Sequence, residues 1–211
     1  MPEGRVVYWR DDEEPRLDRV LECIWDMLEA EVARRNHGFH TPILATLGPG
    51  GAPDARTVVL RQAQRGRRML RLHSDARSDK IAHMRHEPRI ALNFYDPSEQ
   101  TQVRIAAVSR LHERDSFADE AWAALSPMSR RCYLAQAKPG SETDCPDSGL
   151  PPDFRERRPS EAESHGGRAN FVAVECEVTS IDWLYLTSSG NRRAKFAWTS
   201  DGRPLMNWLM P

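Results

Sequence analysis

Two hydrophobic periods divide this chain. Over residues 16–36 the apolar positions Leu17, Val20, Leu21, Ile24, Met27, Leu28 and Val32 recur at intervals of three and four, with acidic residues between them. That spacing predicts an amphipathic helix, opened by Pro15 and closed by Asn36 and Gly38. From residue 41 the period falls to two. Strands are expected over 41–47, 56–61, 69–73, 90–95, 101–112 and 170–186, with a last one through Phe196 and Trp198. Gly48-Pro49-Gly50-Gly51, Asp96-Pro97-Ser98 and Ser188-Ser189-Gly190-Asn191 carry turn chemistry between them. Residues 78–85 read as a short helix with Ile81 and Met84 on its inner face, and 115–136 as helical with an interruption at Pro127.

Six or so strands joined by short turns favour a small antiparallel barrel over a βαβ fold. A length of 211 residues fits one domain spanning 1–211, with the leading helix across one end. Residues 138–167 break the pattern: five prolines and a dense mixture of charges leave little apolar area to bury, so a long mobile loop is expected.

Thirty basic against 31 acidic residues argue against general nucleic-acid binding, which calls for a basic excess. No apolar run reaches the roughly 18 residues of a membrane helix, and the opening residues lack a signal-peptide core. Cys23, Cys132, Cys145 and Cys176 are widely spaced, which favours reduced thiols and a cytoplasmic setting over a disulfide framework or zinc site. The seven histidines form no metal-ligand pattern.

The candidate chemistry lies at strand ends. Arg56 and Arg61 flank Thr57-Val58-Val59-Leu60. Five apart on a regular strand they point to opposite faces, so one is free to bind a ligand while the other serves elsewhere, or both are solvated. Ser74, Arg77, Ser78 and Lys80 gather where a strand gives way to a helix. Helix N-termini favour anions, and two hydroxyls with two cations there make a seat for a dianion. An ordinary helix capped by Asp75 or Ser78 explains the same residues. Gln102, inside a strand, offers a neutral amide suited to the edge of a heterocycle, or simply a polar outward position. No Rossmann glycine fingerprint, P-loop or nucleophile elbow is present.

Together, Arg56-Thr57-Val58-Val59-Leu60-Arg61, the block Leu72-His73-Ser74-Asp75-Ala76-Arg77-Ser78-Asp79-Lys80, the block Pro88-Arg89-Ile90-Ala91-Leu92-Asn93-Phe94, and Gln102-Val103-Arg104-Ile105 resemble the pyridoxamine 5'-phosphate oxidase-like FMN-binding split barrels. The resemblance implies a mainly β protein with flanking helices, built on a six-stranded antiparallel split barrel. It also implies a homodimer with FMN at the subunit interface. In that frame Arg56 and Lys80 hold the FMN phosphate, Ser74 and Ser78 add hydroxyls, and Arg77 assists. His73 comes with the same block. The backbone of Thr57, Val58 and Val59 runs beside the isoalloxazine, Gln102 bonds its polar edge, and Arg61 replaces a lysine that reaches flavin and substrate. Lys195 of the second subunit falls at a flavin-contacting arginine.

The substrate half departs from the family. Its phosphate-binding Tyr and Arg become Trp122 and Ser126, its late Arg-x-His becomes Asn191-Arg192-Arg193, and Asp79 replaces a basic residue of the flavin seat. The implied function is an FMN-dependent oxidoreductase with an unassigned small-molecule substrate and unassigned catalytic residues. A genuine pyridoxamine 5'-phosphate oxidase, a non-catalytic flavin carrier or sensor, and a deazaflavin or haem in the same cleft are the alternatives.

Overall fold

The computed structural model describes residues 16–32 and 38–211, so the expected helix end at Asn36 lies outside the described residues. Helix α1 (Leu17–Glu31) buries Val20, Cys23, Ile24, Trp25, Met27 and Leu28, the face marked by its spacing. Strands β1 (Ile43–Leu47), β2 (Pro53–Thr57), β3 (Leu60–Gln64) and β4 (Met69–Asp75) lead into helix α2 (Asp79–His86). Strands β5 (Arg89–Asp96) and β6 (Thr101–His112) follow, then helices α3 (Ser116–Ala123) and α4 (Pro127–Arg130). After helix α5 (Glu161–Ser164) the chain returns through β7 (Phe171–Tyr185), β8 (Arg192–Trp198) and β9 (Pro204–Leu209).

All pairings are antiparallel, in the order β2-β1-β5-β6-β7-β4-β3, with the β8–β9 hairpin branching from β7. The sheet is mainly antiparallel, open and flanked by helices, which is the split-barrel class expected from sequence. It has nine strands, two more than the seven stretches expected along the chain. One addition is β9, whose pattern leaves Leu205, Trp208 and Leu209 exposed and so shows no buried alternation.

The other addition comes from the 56–61 stretch, which is two strands and not one. Strand β2 ends at Thr57 and β3 begins at Leu60, and these are the two unpaired ends of the sheet path. Val58 and Val59 carry the chain from one edge of the open sheet to the other. The Val58 amide leaves the ladder and donates to the Pro42 carbonyl at 2.9 Å. β-Branched propensity marks both flanks as extended but carries no signal for the crossing.

Alternating residues of β1 and β3–β8 fill one core, including Leu44, Leu60, Leu72, Leu92, Phe94, Ile105, Val174, Trp183 and Phe196, while β2 contributes none. A smaller cluster of Trp122, Tyr133, Phe171 and Ala173 lies on the outer side of the sheet under the α3–α4 segment. The 138–167 stretch is only partly the loop its composition suggests. Helix α5 is opened by a full capping box between Ser160 and Glu163, and Ser164 and Gly167 are buried. Gly167 packs against Tyr133, and Arg130 covers Ser164. Its guanidinium donates to the carbonyls of Trp122 (3.2 Å) and Ala123 (3.3 Å) and to Ser164 Oγ (3.4 Å), and pairs with Glu161.

Candidate functional site

Strand β4 ends beside the start of α2, and the connection brings four of the expected residues together. Lys80 Nζ donates to Ser74 Oγ at 3.3 Å, Ser74 Oγ lies 3.2 Å from Ser78 Oγ, and the Ser78 hydroxyl donates to the Asp75 carbonyl at 2.8 Å. Arg56 arrives from β2 as the fourth. Burial first, then the charge of Arg56, pushes the Lys80 ammonium below its ordinary pKa. Among the described residues no carboxylate forms an ion pair with Lys80. A partly dried lysine with two hydroxyls beside it, and Arg56 near enough to act on it electrostatically, is a candidate anion seat.

The capped-helix alternative does not describe this geometry. Ser78 occupies the N-cap position, yet its side chain makes no capping hydrogen bond to the helix. The Asp75 carboxylate takes the Arg77 amide (2.8 Å) and the Arg77 guanidinium (3.0 and 2.7 Å) instead of the α2 amides. The first-turn N–H groups of α2 therefore have no side-chain acceptor among the described residues, and they face an anion favourably.

Arg77 itself is turned away. Besides Asp75, it donates to the carbonyls of Ala135 (2.9 Å) and Gln136 (3.1 Å), so it ties the segment after α4 to the seat rather than offering a free charge.

A second group lies on the other side of β4. A β-bulge between Leu60 and Gln62 leaves Arg61 without a ladder partner and re-aims its exposed side chain. The regular-strand argument about Arg56 and Arg61 therefore lapses, because both a chain crossing and a bulge lie between them. Arg61 acts electrostatically on His73, Cys132 and Tyr133. His73 packs edge-on against Phe171 at 4.9 Å, and neither ring nitrogen has a hydrogen-bond partner among the described residues. Burial first, then Arg71 and Arg61, drives its pKa down to about 3, so it is neutral at physiological pH. Burial likewise pushes the Tyr133 phenol up.

Gln102 and Lys195 belong to neither group. Gln102 lies opposite Tyr95 and Leu184 on the outer face of β6, while its neighbour Val103 is buried in the core. Lys195 is exposed on β8 opposite Asp182. Asp182 is gripped by Arg104 (2.7 Å) and Arg193 (3.1 and 2.8 Å), which makes this outer face a charged strip. Thr57 stands at the end of β2, and Val58 and Val59 form the half-buried crossing at the open seam.

Sequence reasoning missed Thr46 and His83. Arg56 Nη1 donates to Thr46 Oγ1 at 2.8 Å, which lies 3.1 Å from His83 Nδ1. A threonine in a strand and a histidine on a helix have no spacing that advertises this contact. Arg130 was also missed as a buried guanidinium of the helical segment. No group of three or more potential metal ligands occurs among the described residues.

Residues 21–113 match the family model described as the FMN-binding domain of pyridoxamine 5'-phosphate oxidase. The chain is similar to the pyridoxamine 5'-phosphate oxidase-like split barrels. The Arabidopsis thaliana pyridoxine/pyridoxamine 5'-phosphate oxidase 2 is 27% identical over 197 residues, covering 86% of this chain and 91% of the relative. A crystal structure of a pyridoxamine 5'-phosphate oxidase-related, FMN-binding protein from Nostoc punctiforme superposes with a TM-score of 0.66. It is 23% identical, over 82% of this chain and 87% of that one. PhzG from Burkholderia lata, solved with tetrahydrophenazine-1-carboxylic acid, gives 0.69 at 17% identity over 95% of each chain. At these identities the two structures establish the split-barrel fold. None of the described helices of this split barrel is long and apolar enough to cross a membrane.

Proposed function

We propose that this split barrel is an FMN-dependent oxidoreductase acting on a small molecule, assembled as a homodimer in the cytoplasm. The observation that carries the reading is the convergence of Arg56, Lys80, Ser74 and Ser78 on the uncapped first turn of α2. That donor set fits a terminal phosphate dianion: two fixed charges, two short hydroxyls and free amides. The crossing at Val58 and Val59 would support one side of the ring system, and Arg61 would place a positive charge near the reacting face. FMN, when bound, supplies hydride transfer, so the chain's own task is to orient it, exclude water and set the local charge. His73, held neutral, adds no charge to that face.

Gln102 and Lys195 sit on the outer sheet face, apart from the seat. They could contact the same flavin only if a second subunit presents them, which is the arrangement the family resemblance implies. Exposed Ile43, Leu47, Tyr95, Val108 and Trp208 supply apolar surface for such an interface.

The substrate is proposed to lack a phosphate ester of the kind named in the plant relative. The helical segment carries two guanidiniums: Arg130 is buried and committed to Trp122, Ala123, Glu161 and Ser164, and Arg131 donates to the carbonyls of Phe154 (3.3 Å) and Arg155 (3.5 Å). The test is mass spectrometry of whatever heat releases from the purified protein. Release of a species with the mass of FMN supports the reading. Release of haem or a deazaflavin, or no ligand and no uptake of added FMN, defeats it.

A further inference from the structure

The phosphate seat is braced from behind by a chain of three side chains on three elements. Arg56 on β2 donates through Nη1 to Thr46 Oγ1 on β1 at 2.8 Å, and to the Leu44 carbonyl at 3.2 Å. Thr46 is buried, and its Oγ1 lies 3.1 Å from Nδ1 of His83 on α2. A hydroxyl whose oxygen already accepts from a guanidinium has one proton left to place, and Nδ1 is the acceptor in reach. The other Arg56 nitrogen, Nη2, pairs with Asp54, whose side chain is half exposed. Asp54 Oδ2 also stands 3.9 Å from His83 Nδ1. Gly48 shuts the far side: a Cβ there would come within 3.2 Å of the imidazole.

We propose that His83 is a positioning residue for the cofactor phosphate, fixing the Arg56 guanidinium in the anion seat through the Thr46 hydroxyl. The proposal rests on the FMN reading above. Without the Thr46–His83 arm, Asp54 remains the charged partner of Arg56 and draws the guanidinium toward the exposed edge of β2. With the arm, Arg56 is held from both nitrogens and its charge stays beside Lys80, where burial and mutual repulsion favour an incoming dianion. His83 acts only through other residues and touches no reacting atom.

The experiment compares FMN and riboflavin binding by fluorescence titration in wild type, His83→Leu, His83→Asn and Thr46→Val. Riboflavin lacks the phosphate and so reports everything except the seat. His83→Leu is expected to weaken FMN binding ~10-fold, about what one buried hydrogen bond contributes, with riboflavin unchanged. Asparagine places an acceptor oxygen near the Nδ1 position and should restore affinity to within ~2-fold of wild type. Thr46→Val is nearly isosteric and should match His83→Leu, with the double variant no worse than either. Equal FMN affinity in wild type and His83→Leu overturns the inference, as does an equal loss of riboflavin binding or failure of asparagine to rescue. A wild-type protein that binds FMN no better than riboflavin instead defeats the cofactor reading, and the inference with it.

Discussion

Lys138 Nζ lies 2.6 Å from Asp79 Oδ1, at the first residue of α2. The position where the family resemblance calls for a basic residue is an acid here, and the segment after residue 137 brings a cation to it. Lys138 opens a Lys138-Pro139-Gly140-Ser141 turn, closed by the Ser141 amide on the Lys138 carbonyl at 3.1 Å. Gly140 holds φ of 85° there, a left-handed conformation that glycine adopts freely. With the two carbonyls bound by Arg77, this makes a strap across the phosphate end of the barrel.

Removing that cation should therefore weaken anion binding more than it weakens the fold. Both partners are more than half exposed, so the pair contributes little to stability. Lys138→Met leaves Asp79 uncompensated next to the seat, and FMN affinity is expected to fall ~3-fold or more with little change in Tm. Asp79→Asn in the same background should restore it. A titration in which Lys138→Met binds FMN as wild type does would separate the strap from the seat.

His73 should impose a visible acid dependence on stability. Its folded pKa is about 3 against an ordinary 6.5, so below pH 6.5 the unfolded chain takes up a proton that the folded chain refuses. The contribution is complete above pH 6.5 and is lost as pH falls toward 3, with a slope approaching ~1.4 kcal/mol per pH unit. Urea melts across that window should show His73→Phe with a slope shallower by about one proton. Parallel curves for the two proteins would show that His73 is not held neutral.

Arg130 should behave as a structural residue. Arg130→Met removes a buried guanidinium from two carbonyls, a hydroxyl and Glu161, and a loss of ~3 kcal/mol is expected, with faster proteolysis between residues 135 and 170. FMN affinity should change little. Selective loss of turnover at unchanged stability would place Arg130 in a substrate site instead.

The sequence made the barrel legible because its core strands alternate cleanly. The 12 residues of β6 end where their pattern says, and the inner face of α1 follows its three-and-four spacing. The crossing at Val58–Val59 was not legible, since β-branched residues suit a strand equally well on either side of a break. Nor was the anchoring of 160–170, because it is held by long-range contacts of Arg130 with Ser164, Gly167 with Tyr133 and Asn170 with the Tyr133 carbonyl rather than by an apolar stripe. Within the site, Ser74, Ser78 and Lys80 were readable from local spacing at a strand–helix junction. Thr46 and His83 were not, since they meet across 37 residues through one hydroxyl.

The central claim is that Arg56 and Lys80 form a seat for a cofactor phosphate. The most direct measurement is the ratio of FMN to riboflavin affinity in wild type and in the Arg56→Ala/Lys80→Ala double variant, with circular dichroism to confirm the fold. The account predicts a large preference for FMN in wild type that disappears in the folded double variant, while riboflavin binding persists. A folded double variant that keeps its preference for FMN would contradict it.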